Sequence, residues 1–166
     1  MKRASYSQWL LAWSTIGALL LPMVARGQAD SPSEPTAASQ IAKRIRDKQP
    51  NGFAQAMALG EKAVEPLTEI LFDKSLSTPQ RFMAANILGD IRSRKAVEPL
   101  VSALKDDEFN VRRCAALALG KIGDTSARPA LERLAKEDPF AWTEPKSGKV
   151  MYLVREDAQK ALEMLD

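Results

Sequence analysis

Chemistry needs side chains that take a proton, hold a metal or attack a substrate, and this chain has few of them. It contains no histidine and a single cysteine, Cys114. Without imidazole there is no Ser-His-Asp or Cys-His relay, no His-ligated zinc and no iron held by His. Paired carboxylates occur at Asp106-Asp107 and Glu137-Asp138. Both pairs fall at helix ends in the pattern described below, where acidic residues usually serve the helix terminus rather than a reaction. Cys114 sits on the apolar stripe of VRRCAALALG, where a thiol behaves as a small hydrophobe. The expectation is therefore a protein with no catalytic, cofactor-binding or metal residues, and not an enzyme.

The elements that would position any site follow from a repeat. AVEPL at 63–67 returns letter for letter at 96–100, and a period of that length points to stacked helical units. Pro66 and Pro99 belong in the first turn of a helix, where the missing N–H costs nothing. Leu67 and Leu71, like Leu100 and Leu104, share one face at i, i+4. We denote this first helix of each unit A and the next B. Thr78 is the expected cap of the first B helix, with Pro79 at its first position, and Asp107 the cap of the second. Gly89 and Gly120 are expected to end those helices.

In the second B helix, Val111, Cys114, Ala115, Ala118, Leu119 and Ile122 form a core-facing arc. Leu117 points away from it, so neighbouring units must cover the helix from several sides. The pattern divides the chain into a partial unit at 39–62, with Ser39 as its cap, and repeats at 63–95, 96–126 and 127–166. In the last repeat VREDAQKAL at 154–162 aligns with VRRCAALAL at 111–119. An insertion at 139–152 separates its two helices, and EPKSGK between FAWT and VMYL predicts a small β-hairpin.

Residues 1–29 read as a leader rather than as part of the fold. Lys2 and Arg3 precede an apolar run of 13 residues, Trp9–Leu21, and Gly27-Gln28-Ala29 supplies small residues for cleavage after Ala29, with Gly27 the alternative. The run is shorter than the ~20 residues of a spanning helix, so contact with a membrane is expected only through an uncleaved leader. Residues 30–38, DSPSEPTAA, read as a disordered linker. Three of the 24 basic residues, Lys2, Arg3 and Arg26, lie in the leader, which holds no acid; 21 basic and 21 acidic residues remain. A balanced chain lacks the basic footprint of a nucleic-acid binder. The leader implies an exported protein, periplasmic or secreted.

The recurring A-V-E-P-L, L-x-D, V-R-x-x-A-A-x-A-L-G-x-I-G-D and V-R-x-x-A-x-x-A-L resemble HEAT-like repeats of the short phycobilisome-lyase type. That resemblance implies an all-α, right-handed α-solenoid of stacked antiparallel helix pairs, most of whose members are binding scaffolds. It also implies a ladder between a turn Asp and an early B-helix Arg, matched by Asp73 with Arg81 and Asp106 with Arg112. Some members are enzymes. A chromophore lyase needs a bilin-sized cleft, and iron-dependent HEAT hydroxylases use His-Glu pairs that are absent from this sequence. The expected function is accordingly a non-catalytic scaffold for a protein partner, with a chromophore-lyase-like or small-ligand-binding role as the alternative. On the B helices, the residues facing away from A are Phe82, Asn86, Arg113 and Leu117, a candidate protein-binding face. Phe140, Trp142 and Tyr152 in the insertion form a second candidate surface, or else seal the end of the stack.

Overall fold

The computed structural model describes residues 36–166; the leader reading and most of the linker reading lie outside the described residues. The helices are α1 (Ala37–Arg46), α2 (Gly52–Leu59), α3 (Val64–Phe72), α4 (Thr78–Ile91), α5 (Val97–Ala103), α6 (Phe109–Ile122), α7 (Arg128–Glu137) and α8 (Leu153–Glu163). They alternate between an A layer of α1, α3, α5 and α7 and a B layer of α2, α4, α6 and α8, giving an all-α solenoid. Between α7 and α8 a two-stranded antiparallel hairpin, β1 (Trp142–Thr143) and β2 (Val150–Met151), pairs Trp142 with Met151 and Thr143 with Val150.

The repeat acts through burial. The alanine that opens each unit, Ala63, Ala96 and Ala127, is fully buried in a short 3-10 turn leading into the A helix. Leu67, Ile70, Leu71, Leu88, Leu100, Val111, Leu119, Leu131 and Val154 are the largest fully buried side chains. Each contributes about 1.5–3 kcal/mol relative to exposure. They join one cluster running from Ile41 to Leu162, so every unit is covered by its neighbours.

The local capping differs from the sequence expectation. Helix α1 begins at Ala37 because Thr36, not Ser39, is its N-cap and accepts the Ser39 N–H at 3.2 Å; residues 37 and 38 are therefore helix rather than linker. Ser77, not Thr78, caps α4 in a reciprocal box with Gln80, whose side chain also donates to the Ile45 carbonyl at 2.7 Å and ties α4 to α1. At the second B helix the N-cap is Glu108, not Asp107, and its side chain makes no capping hydrogen bond; the Asp106 carboxylate accepts the Glu108 N–H at 2.9 Å in the turn just before.

Gly89 and Gly120 do not stop their helices. The left-handed stops are Arg92 (φ 55°) and Gly123 (φ 76°). The two glycines serve close approach instead: a Cβ at Gly89 would lie 2.6 Å from Ala118 Cα, and one at Gly120 would lie 2.9 Å from Ala161 Cα. Helices α4 and α6 thus each seat a glycine on an alanine of the next B helix. In α8 the equivalent slot holds Glu163, and Gln159 stands where α4 and α6 have Ala85 and Ala116. Both are exposed, so α8 offers no small-residue seat for a further helix.

The Arg–Asp ladder exists with different rungs. Arg81 does not pair with Asp73; it reaches forward to Asp106 while its Nε donates to the Leu71 carbonyl at 3.0 Å. Arg112 forks onto Asp138 of the next unit at 2.6 and 3.1 Å, and meets Asp106 only through the backbone carbonyl at 2.8 Å. Arg155 donates to the Asp138 carbonyl at 2.7 Å. Each arginine therefore braces its own turn with one arm. Arg81 and Arg112 also grip the next turn with the other, and buried charged pairs of this kind lose heavily when one partner is removed.

Candidate functional site

The B-layer residues form a polar network rather than an open apolar face. Phe82 is half-buried against the core, and Leu117 is also half-buried. Asn86 hydrogen-bonds the Cys114 thiol, but burial dominates and pushes that thiol's pKa up, away from the reactive thiolate. Arg113 pairs with buried Asp157 at 2.6 Å, and Lys160 reaches the same carboxylate at 3.3 Å. Lys121 bridges to Asp90 at 2.7 Å. These pairs link α4, α6 and α8 along the B layer.

The three insertion aromatics separate. Phe140 turns inward and stacks on Phe109 at the start of α6, with ring centroids 3.7 Å apart and planes 4° from parallel. Trp142 and Tyr152 remain exposed at 39% and 41%, Tyr152 lying beneath the Arg155 guanidinium at 4.5 Å. One ring anchors the hairpin and two face solvent.

A groove that the sequence pattern did not reveal lies in the A layer. Helix α5 has 7 residues and α7 has 10. Between the last turn of α5 and the length of α7 a cavity of about 390 Å³ opens. Its apolar walls are Val101 and Leu104 on one side and Pro129, Ala130 and Leu134 on the other, with Lys105, Arg133 and Glu137 at its polar edge. The side chains of Lys105 and Arg133 are exposed and have no ion-pair or hydrogen-bond partner among the described residues, unlike Asp138, which Arg112 occupies. A smaller cavity, about 310 Å³, lies between α1 and α2, where Arg44 already donates to Gln55 at 3.0 Å. Among the described residues no group of three or more Cys, Asp or Glu could hold a metal ion, and no helix is long and apolar enough to cross a membrane.

Residues 64–144, which hold the groove and most of the ladder just described, match the family model for HEAT repeats, in keeping with the stacked helix pairs of the fold. In sequence the chain is similar to phycocyanobilin lyase subunit alpha of Synechococcus elongatus, with 35% identity over 98 residues, 59% of this chain and 34% of that protein. The chain thus spans about a third of the length of the lyase subunits it matches. In structure it is similar to the complex of CpcE and CpcF of phycocyanin lyase from Nostoc sp., at 26% identity and a TM-score of 0.60, covering 87% of this chain and 58% of that one. It is also similar to human deoxyhypusine hydroxylase in complex with glycerol, at 26% identity and a TM-score of 0.63, covering 77% and 43%.

These relatives correct the expectation of a non-catalytic scaffold that is not an enzyme, because lyase and hydroxylase are both catalytic. The inference from missing histidine was too broad. It removes imidazole chemistry, but an enzyme that works by holding and orienting a reactive ligand gains its rate from placement.

Proposed function

We propose that this chain is an enzyme component of the chromophore-lyase type, which holds an open-chain tetrapyrrole and works beside a protein partner. The observation that carries the reading is its likeness to phycocyanobilin lyase in both sequence and backbone. The Nostoc neighbour is a two-subunit complex, which supports a protein partner for this chain. We assign that contact to exposed Trp142 and Tyr152 on the hairpin, residue types that anchor interfaces. The hydroxylase likeness favours no metal chemistry: the chain has no His, so the residues do not fit the His-Glu pairs of such hydroxylases. The reading includes export, which the leader-like layout of residues 1–29 supports; a mature N-terminus other than one just after Ala29 or Gly27 would count against it.

The test mixes the purified chain with phycocyanobilin and apo-phycocyanin, alone and with candidate partner subunits. Covalently coloured phycocyanin on a denaturing gel should accumulate faster than with chromophore alone. Equal rates with and without the chain, under both conditions, overturn the reading.

A further inference from the structure

We infer that the groove between α5 and α7 is a binding site for a small apolar molecule carrying a carboxylate. Its volume of about 390 Å³ falls in the range of ~300–1,000 Å³ typical of ligand pockets. Leu104 and Leu134 are almost wholly buried along its floor, while Val101 and Ala130 are half-buried and line its walls. An apolar body laid there removes surface that the fold leaves wet.

The head group follows from the charges. The ladder arginines Arg81, Arg112 and Arg155 are each committed to a carboxylate or carbonyl, whereas Lys105, in the turn after α5, and Arg133, on α7, line the groove with no side-chain partner among the described residues. Arg133 presents a fork suited to a carboxylate, and Lys105 supplies a second positive charge. Glu137, one turn farther along α7, repels an anion at its own end. The carboxylate is therefore held at the Lys105–Arg133 end and the apolar body runs along Leu104 and Leu134.

The site stands on this geometry and goes beyond the lyase reading, because a fatty acid and a tetrapyrrole dicarboxylate share the chemistry it recognises. Calorimetric titration of the full chain uses dodecanoate in one arm and phycocyanobilin in the other, with the methyl ester of each as control. At least one free acid should bind, its ester more weakly, and Lys105→Ala or Arg133→Ala should weaken the acid by about tenfold. Both residues are exposed, so the variants keep the fold, and Ala130→Trp should block binding by filling the groove. If neither acid binds, or both variants and the filled groove leave affinity unchanged, the assignment is wrong. Binding of dodecanoate alone supports this site while removing support from the tetrapyrrole reading. Chromophore transfer that persists in an Ala130→Trp variant no longer able to bind the acid keeps both the lyase reading and this site, with the chromophore held outside the groove.

Discussion

Replacing Gly89 with alanine isolates the feature on which the B layer depends. In an ordinary helix interior the change favours folding by about 1 kcal/mol. At this position the new Cβ would sit 2.6 Å from Ala118 Cα and 2.7 Å from its Cβ, against the 3.5–4.0 Å of normal carbon contact. The obstacle is main chain and a methyl, neither of which can rotate away, so α4 and α6 must part by about 1 Å. Ala84, Ala85, Leu88, Ala115 and Leu119 are all fully buried on these helices, and parting them forfeits contact energy along the whole seam. Overpacking of this kind costs about 1–3 kcal/mol; taking the upper end against the propensity gain leaves a net loss of about 2 kcal/mol. Urea unfolding followed by circular dichroism should show the midpoint fall by roughly 1 M with an unchanged slope. Gly120→Ala should lose less, since its clash is 2.9 Å and one of the obstructing atoms is the flexible Met164 Sδ. A Gly89→Ala midpoint equal to or above that of the parent would refute the close-approach argument.

Arg92→Gly should stabilise by about 0.5–1 kcal/mol, because Arg92 holds φ at 55° where only glycine is unstrained; thermal melts that show a loss contradict this. Arg112→Ala should cost about 3–5 kcal/mol by stranding the Asp138 carboxylate, 2% exposed, without its fork, and chemical denaturation with a loss under ~1 kcal/mol would sink the ladder as a stabilising device. Acid should destabilise through Asp106. Burial alone would raise its carboxyl pKa, but the Glu108 N–H, Lys74 and Arg81 outweigh burial and hold it below the usual range. A depressed folded value means its contribution is complete above the unfolded value of ~3.9 and is lost as pH falls through the folded one. Melting temperature should therefore drop below about pH 4, and Asp106→Asn should flatten that drop while lowering stability at neutral pH; an unchanged acid slope in the variant argues against this linkage.

Sequence alone determined that the chain stacks HEAT-like helix pairs, and the reason is local. AVEPL carries its own helix start and i, i+4 stripe, and EPKSGK carries its own turn, so both are legible without knowing their neighbours. Tertiary structure decided everything that depends on which unit meets which. Arg81 lies eight residues from Asp73 but binds Asp106 across 25, because a B helix lies against the following unit as well as its own. Gly89 and Gly120 look like helix stops in one dimension and prove to be seats for the next helix in three. The α5–α7 groove is lined by side chains from two units, and Lys105 and Arg133 acquire meaning only because no other described side chain pairs with them. A repeat writes its periodic contacts into the letters, whereas a cavity is the space left between units, and that space is visible only once the helices are packed.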